Sequence, residues 1–535
     1  MKRKFSVALL VALLVLGQSL AACTIFAVGK EASTDGSTMI SHTCDSTSDD
    51  LRLYLIPSME AGVERDIVLS GRAGADYSQF PEVKNYGPSS MVLGSYVPEE
   101  ATNQYIHGMY SFMNDKGLAM GESTCWYSAN GMADVAEQTA KLKEVYSADE
   151  GIIDAYMLQD LALENCSSAR EAVEFMGAII EELGWNGTNS CECFNICDGE
   201  EAWVVEYYGG KVWVAVRVPD NAVFVCANRA RINQFDFNDT ENYLCTTGLR
   251  EWTIEKGLWD GEGDFVPCRI FCPNIGSTYS TRREWMALML LDPSLNLDPN
   301  DIDHDLNWPL FVVPQEKVSV DTIHKLSSNY YQGTEYDLSK QLSAGPFGNP
   351  LYPSADRAIN CYRCTYIQIA NVKSWLPDEA KCLVYFGWGA PDSTYLTPLF
   401  ASQKSLPAQF STGVRTEYDE NSGWWVSSMV QQVATWNYQS AIQDIYAVRE
   451  PLMAEQYAVT SAMQDAAAKM IKNGDKEGAI DLLTAYSTNQ ANMWFNTWKE
   501  LEEDLITKYM HTNTNMKVSK PTAWWTENVV NKGLK

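Results

Sequence analysis

The chain has 535 residues, of which 46% are hydrophobic, and it carries a formal net charge of −29. This composition is typical of a globular protein with one large core or several domains, and it excludes intrinsic disorder. The acidic balance disfavours nucleic acid, anionic lipid and large polyanionic substrates as partners, although such surface charge most often serves solubility.

Residues 1–22 have the features of an export signal. Three basic residues, Lys2 to Lys4, precede a run of ten apolar residues from Val7 to Leu16, which is too short to span a bilayer as a mature helix. Removing them would change the net charge from −29 to −32. We therefore expect an exported protein, periplasmic or extracellular, with no transmembrane span. The sequence before Cys23 also fits a lipoprotein signal, in which Cys23 would be acylated and the protein anchored to the cell envelope.

The segment after the export signal predicts a β-hairpin. Alternating apolar residues follow Cys23, and an Asp35-Gly36 turn separates them from a second apolar run. If the chain is cut before Cys23, that residue carries both a thiol and a free α-amine. An unperturbed thiol has a pKa of ~8.5 and an α-amine one of ~7.7–8.0, so proton transfer between them costs little. Cys23 is therefore a candidate nucleophile that needs no separate base.

Cysteine and histidine usage bears on metal binding. The chain has 14 cysteines and five histidines. Cys191, Cys193 and Cys197, and the pair Cys361 and Cys364, have irregular spacings and no nearby histidine, which favours buried thiols or a local disulfide over zinc ligands. The few histidines also argue against a histidine-rich metal site and a conventional cysteine–histidine dyad. We expect no metal site.

In chain order, the patterns alternate between strands and helices. Residues 23–135 are β-rich, with a second hairpin turning at Asn114–Gly117, and residues 151–183 are helical up to Gly184. Strands return in 194–230, with a hairpin turning at Gly209-Gly210 and a strand that ends at Asn228. Residues 233–345 are loop-rich, and 358–400 contain further strands. This order predicts the α+β class.

From residue 428 the pattern is helical. A first helix is predicted to end at Pro451, a second at Gly474, and a third follows from Ile480 to Leu505. We therefore divide the chain into the signal peptide 1–22, a main domain 23–427 and a helical C-terminal region 428–535 that packs on the core.

Several separated motifs occur in the order found in one peptidase family. The chain resembles the C69 dipeptidases from Cys23 to about residue 400. These are N-terminal nucleophile hydrolases, related more distantly to choloylglycine hydrolases and penicillin V acylases. The motifs are Cys23-Thr-Ile, Gly29-Lys-x-Ala-Ser-x-Asp-Gly-Ser37, Ser41-His-Thr-x-Asp45, the Asn114–Gly117 turn, the strand ending at Asn228, Arg282-Arg-x-Trp285 and Gly333-Thr-x-Tyr-Asp337.

The resemblance implies a fold and a reaction. The fold would be a four-layer αββα sandwich, here with a C-terminal helical appendage. The reaction would be the hydrolysis of short peptides through an acyl-thioester on Cys23, after processing that exposes its amine. No metal or organic cofactor would be needed, and the partner would be a short peptide. Homo-oligomerisation is left open.

The resemblance also assigns catalytic residues. Cys23 would be the nucleophile, and Asp45 would hold its α-amine through a charge-assisted hydrogen bond. The Asn228 amide would stabilise the oxyanion of the tetrahedral intermediate. An arginine would complete the network around the nucleophile, and we favour Arg282 over its neighbour Arg283 for this role.

Four further residues are assigned to the substrate side of the site. His42 stands where choloylglycine hydrolases have an arginine, and Ser123 stands where they usually have an asparagine. Glu122 could pair with the ammonium group of a peptide, or it could be an ordinary solvent-facing acid. Arg283 would bind substrate. Gly333–Asp337 would be architecture specific to the dipeptidases, near the pocket.

Two other functions remain open on the sequence. One is an N-acyl amidase of the choloylglycine hydrolase or penicillin acylase type, which would accept acylated amines. The other is a lipid-anchored binding protein without catalytic activity, in which acylation would consume the thiol of Cys23.

Overall fold

The computed structural model describes residues 22–46, 51–69, 91–127, 133–186, 190–274, 278–352 and 356–534. The predicted signal peptide lies outside these residues except for Ala22, which belongs to the first strand.

The described residues include seventeen strands. The strands are β1 (Ala22–Val28), β2 (Thr38–Asp45), β3 (Tyr54–Ile56), β4 (Arg65–Leu69), β5 (Met91–Tyr96), β6 (Tyr105–His107), β7 (Met113–Asn114), β8 (Ala119–Trp126), β9 (Ser190–Cys197), β10 (Ala202–Gly209), β11 (Val212–Arg217), β12 (Val223–Cys226), β13 (Tyr243–Cys245), β14 (Phe311–Val312), β15 (Cys364–Val372), β16 (Leu383–Trp388) and β17 (Thr397–Phe400).

Helices lie between several of these strands and dominate the end of the chain. They are α1 (Ala133–Ser147), α2 (Ala155–Asn165), α3 (Ala169–Leu183), α4 (Leu249–Glu255), α5 (Pro267–Phe271), α6 (Thr278–Leu291), α7 (His304–Asn307), α8 (Val320–Ser327), α9 (Asp378–Lys381), α10 (Gly423–Ala434), α11 (Tyr438–Lys472), α12 (Lys476–Tyr509) and α13 (Ala523–Trp525).

Two large sheets organise the described strands. One has seven strands in the order β14-β12-β1-β2-β15-β16-β17, and the other has eight in the order β13-β11-β10-β9-β8-β7-β6-β3. The pairings in both sheets are antiparallel. The α+β class is therefore confirmed.

The predicted first hairpin is confirmed and lies in the middle of the seven-stranded sheet. Gly36 has a φ of +85°, a left-handed conformation that glycine adopts without strain, and the Asp35 side chain accepts a hydrogen bond from the Ser37 backbone N–H at 3.1 Å. The register that follows places Cys23 opposite Cys44. Both thiols therefore lie on one face of the sheet.

The two sheets pack face to face, with β1 and β2 against β8 and β9. The Asn195 side chain in β9 ties them together, because its amide donates to the carbonyls of Phe26 at 2.6 Å and Ser41 at 2.9 Å. At Gly121 the approach is close: a Cβ atom there would lie 2.8 Å from the Cβ of His42. This approach brings Glu122 beside Cys23.

The helices predicted over 151–183 are confirmed as α2 and α3. Asp154 and Ser168 cap their N-termini with side-chain hydrogen bonds, and Gly184 ends α3 with a φ of +73°. The buried face of α3 packs on β10 and β11 of the eight-stranded sheet.

The C-terminal region is helical, as predicted, but the break at Pro451 is wrong. Helix α11 runs through Pro451 without ending. A proline inside a helix costs about 3 kcal/mol, so contacts on both sides must hold α11 together. Arg449 donates to the Thr394 carbonyl at 3.3 Å, and Gln456 donates to the Leu396 carbonyl at 2.6 Å. Tertiary packing therefore overrides the local signal.

The C-terminal helices pack on the seven-stranded sheet, since α10 contacts β16 and α12 contacts β17. Among the helices of the described residues, none combines the length and apolar character that a membrane crossing requires.

Candidate active site

The Cys23 thiol lies buried between the two sheets. It donates a hydrogen bond to Glu122 Oε1 at 3.0 Å. Burial, with smaller effects from Cys44 and the negative charge of Glu122, raises the pKa of Cys23 well above its usual value. With a residue still attached before Cys23, this environment keeps the sulfur protonated.

Glu122 faces the Cys23 thiol and not solvent, since its side chain is fully buried in β8. One carboxylate oxygen, Oε1, lies 3.2 Å from His42 Nε2. Burial favours the neutral acid, but hydrogen bonds with Glu192 and His42 outweigh it and lower the pKa of Glu122 to about 2. Glu122 is therefore a buried carboxylate next to the thiol.

His42 connects this carboxylate to a phenol. Its Nδ1 lies 3.3 Å from the Tyr366 hydroxyl, and its ring packs edge-on against the rings of Tyr110 and Tyr366. His42 shares a face of β2 with Cys44, because alternate residues of a strand point the same way. The ring is thus fixed close to the Cys23 thiol.

Arg283 joins Cys23 to Asn228. Its guanidinium has five N–H groups, and the structure provides five acceptors for them. These are the carbonyls of Tyr279, Cys23 and Ala227, the Thr24 hydroxyl and Asn228 Oδ1, at 2.8–3.1 Å. Arg283 is therefore fully occupied in holding β1 and Asn228 together.

Asn228 follows β12 in a left-handed conformation, with a φ of +63°, which asparagine tolerates better than most residues. Its side-chain amide donates to the Thr124 carbonyl at 2.7 Å. The Ser123 hydroxyl accepts from the Asn228 backbone N–H at 3.0 Å and donates to the Cys23 carbonyl at 3.3 Å. Ser123 therefore links β8 to both residues.

Arg282 lies elsewhere. It forms an ion pair with Asp356, and its guanidinium stacks over the Tyr336 ring at 3.9 Å. The position in the network that the sequence assigned to Arg282 is thus occupied by Arg283. Tyr336 belongs to the Gly333–Asp337 motif and also packs edge-on against Trp285. This motif therefore lies against α6.

Asp45 ends β2, and its Cα pairs with that of Ala22, directly beside the peptide bond that precedes Cys23. Its buried carboxylate forms an ion pair with Arg357. Arg357 also donates to the Tyr279 hydroxyl, and the Tyr279 carbonyl accepts from Arg283. The Asp45 carboxylate is thereby connected to the network around Cys23.

Sequence reasoning missed Arg357, Tyr279 and Glu192. Glu192 had a usable signal, because a carboxylate between Cys191 and Cys193 in an otherwise buried strand requires a specific partner. Arg357 and Tyr279 belong to none of the motifs in the sequence, and only the fold brings them to Asp45. The thiols of Cys191, Cys193 and Cys197, which lie in β9, are buried.

Comparisons with known proteins agree on a family. Residues 22–450 match the model of peptidase family C69. The chain is 25% identical over 464 residues to a probable dipeptidase A of Streptococcus pyogenes serotype M1, covering 83% of this chain and 88% of that protein. It is 25% identical over 480 residues to a dipeptidase of Bifidobacterium longum, covering 86% and 85%. It is 23% identical over 498 residues to dipeptidase A of Lactobacillus helveticus, covering 90% and 96%.

Proposed function

The chain belongs to peptidase family C69, and from this membership we propose that it is an exported cysteine dipeptidase of the N-terminal nucleophile class. The observation that carries the proposal is the convergence on Cys23 of Glu122, Ser123 and Arg283. The names of the relatives, which are dipeptidases, support the substrate class. The two facing sheets, with helices against β10 and against β17, support a four-layer sandwich.

The proposed reaction begins once Cys23 is the first residue. Its α-amine takes the thiol proton, and the sulfur attacks the carbonyl carbon of the scissile bond. One N–H of the Asn228 amide is bound to Thr124, and we assign the other to the oxyanion. The amine then gives its proton to the departing amino group, which leaves an acyl-thioester. The amine takes a proton from the water that attacks this ester, and it gives that proton to the thiolate as the acid product departs.

Asp45 suits the role of holding the α-amine. Its Cα lies opposite Ala22, so a cut before Cys23 creates the new amine beside this end of β2. The carboxylate is fixed by Arg357. An anion held next to an ammonium group keeps that group in place through a charge-assisted hydrogen bond.

Glu122 is the group that we assign to the substrate's own amine. It is a buried carboxylate within 3.0 Å of the nucleophilic sulfur, and a dipeptide places its α-ammonium only one carbon from the attacked carbonyl. Ammonium binding there would select peptides with a free amino terminus over acylated ones.

The test compares hydrolysis of Ala-Ala with that of N-acetyl-Ala-Ala by the processed protein, whose first residue is established by mass spectrometry. We expect Cys23 at the N-terminus, cleavage of the free dipeptide, and loss of most activity in Cys23→Ser and Cys23→Ala. Cys245→Ser, at a half-buried thiol in β13, is the matched control and should keep activity.

Three outcomes would contradict the proposal. Full activity of Cys23→Ala would exclude the thiol as nucleophile. Equal turnover of both substrates would favour an N-acyl amidase. An acylated Cys23 in protein from its native host would favour a lipid-anchored protein without this chemistry.

A further inference from the structure

We propose that the thiols of Cys23 and Cys44 and a ring nitrogen of His42 form a binding site for one divalent cation of the zinc class. One ligand atom from each of the three side chains lies within 4.8 Å of the other two, and all three residues are buried. The site overlaps the proposed nucleophile, but its occupant is not a cofactor of the proposed reaction.

The fold places these ligands on a rigid frame. Cys23 and Cys44 are direct partners across the β1–β2 ladder, and Ile25 pairs with His42. His42 and Cys44, two residues apart in β2, therefore point to the same face as Cys23. β1 lies between β12 and β2, and β2 lies between β1 and β15, so neither strand is at an edge of the sheet. Ligands on central strands are held more accurately than ligands on loops.

The donor set selects the metal. Two thiolates and one imidazole are soft to borderline ligands, which suit zinc and cobalt and not magnesium or calcium. Tetrahedral zinc bound at about 2.3 Å to sulfur and about 2.0 Å to nitrogen needs ligand atoms roughly 3.5–3.8 Å apart. Since the three atoms already lie within 4.8 Å of one another, small side-chain movements bring them to three of the four tetrahedral positions, and water fills the fourth.

The surrounding charge also favours a cation. Glu122 Oε1 lies 3.0 Å from the Cys23 sulfur and 3.2 Å from His42 Nε2. The nearby guanidinium of Arg283 is committed to five acceptors. A divalent ion that displaces one proton from each thiol would leave the ion and its two thiolates neutral beside the carboxylate.

Occupation of this site would inhibit the enzyme reversibly. A thiolate bound to zinc shares with the metal the electron pair that would attack the substrate, so it is a weaker nucleophile, and removal of the ion with uptake of a proton regenerates the free thiol. This inhibition depends on the proposed function, whereas binding of the ion does not.

The experiment titrates the reduced protein with Co²⁺ under anaerobic conditions and records its absorption spectrum. We expect one cobalt per chain, a charge-transfer band with the intensity of two thiolates, visible bands typical of tetrahedral cobalt, and displacement by Zn²⁺. Cys44→Ser should lose about half of the charge-transfer intensity and at least about tenfold in affinity. Cys245→Ser, which removes a thiol in β13, should match the wild type.

Two further measurements keep the test decisive if Cys44→Ser is unstable. Cys44→Ala should show the same loss, and Zn²⁺ should slow alkylation of both Cys23 and Cys44 in the wild type, as read by mass spectrometry. Zinc should inhibit dipeptide hydrolysis by the wild type, and Cys44→Ala should need at least about tenfold more zinc for half-inhibition of its own rate.

Equal cobalt spectra and affinities in the wild type and Cys44 variants would overturn the site, as would protection of Cys23 without Cys44. Cobalt binding without inhibition would retain the site and contradict the proposed function.

Discussion

Glu122 accepts a hydrogen bond from the Cys23 thiol, but it is the wrong base for this thiol. Unperturbed pKa values of ~8.5 for a thiol and ~4.3 for a glutamate make proton transfer between them cost about 6 kcal/mol. The structure widens this gap, because it raises the pKa of Cys23 and lowers that of Glu122. Transfer from an unperturbed thiol to an α-amine with a pKa of ~7.7–8.0 costs only about 1 kcal/mol, and the raised pKa of Cys23 adds the same amount to the cost of both transfers. This difference favours the N-terminal amine as base and leaves Glu122 to bind a cation.

Replacement of Glu122 tests this assignment. Glu122→Gln keeps the shape of the side chain and removes its charge, so kcat/KM for Ala-Ala should fall. The fall should correspond to a loss of transition-state stabilisation of about 1.5–3 kcal/mol, the value of a hydrogen bond to a charged group. N-acetyl-Ala-Ala has no ammonium group to lose, so its already low rate should change little. An equal loss for both substrates would show that Glu122 acts on the thiol and not on the substrate amine.

The neighbouring arginines of α6 provide a matched pair of variants. Arg283→Lys keeps the charge but replaces five donors in a fixed fork by three, so Asn228 loses its alignment. We expect kcat to fall by at least about 10²-fold, with a smaller change in KM, as for loss of an oxyanion donor. Arg282→Lys keeps a cation near Asp356 and should change kcat by less than about tenfold. Equal effects of the two substitutions on kcat would contradict the assignment.

At the scale of elements, the sequence predicts those features that local chemistry determines. The turns at Asp35-Gly36 and Asn114–Gly117 are readable because left-handed glycines occur at both, with φ of +85° at Gly36 and +78° at Gly117. Helix α3 is readable because its apolar spacing and its Gly184 stop agree. In each case the residues that carry the signal are neighbours in the chain.

The features that the sequence did not predict correctly depend instead on contacts between distant parts of the chain. Successive residues of a helix point about 100° apart, so whether Arg282 or Arg283 faces Cys23 depends on the rotation of α6 against the sheet, which no local pattern reveals. Pro451 lies inside α11 because Arg449 and Gln456 bind a segment that is distant in sequence. Arg357 reaches Asp45 from a part of the chain without a motif.

Helix α8 carries a pH-dependent contribution to stability. His324 in this helix is buried and donates from Nε2 to the Pro391 carbonyl at 2.7 Å. Burial, together with the positive charge of Arg449 on α11 and of Lys325, lowers the pKa of His324 from 6.5 to about 3. The folded state therefore holds this ring neutral, and the unfolded state binds a proton more readily. The contribution of His324 to the free energy of unfolding is therefore fully present above pH 6.5 and is lost as the pH falls towards 3.

Denaturant unfolding at pH 7 and pH 5 measures this effect. Between these values, His324 should reduce the free energy of unfolding by about 2 kcal/mol. His324→Gln retains an N–H donor for the Pro391 carbonyl but has no titrating group, so its loss between pH 7 and pH 5 should be smaller by that amount. The same pH dependence in both proteins would show that His324 is not held neutral.

At the scale of the whole molecule, the site depends on complete folding. Cys23 lies on β1 in one sheet and Glu122 on β8 in the other, while Arg283 comes from α6 and Arg357 from a segment more than 300 positions after the nucleophile. Such distant contributions form only after the two sheets have packed together. The peptide bond before Cys23 then lies beside Asp45, already framed by the network that would use the new amine.

Activation should therefore depend on a single peptide bond. A chain that retains any residue before Cys23 has an amide nitrogen there, which is not a base, so we expect hydrolysis of Ala-Ala at least about 10²-fold slower than in the processed form.

The measurement uses two proteins with a removable N-terminal tag, one cut to begin at Cys23 and the other to begin at Ala22. Both lose the same tag and share the same fold, and mass spectrometry during the assay establishes which residue is first. Only the form that begins at Cys23 should become active, and the Ala22 form should gain activity in step with any loss of Ala22. If the form that retains Ala22 were equally active, the base would lie elsewhere, and the N-terminal nucleophile mechanism would have to be abandoned.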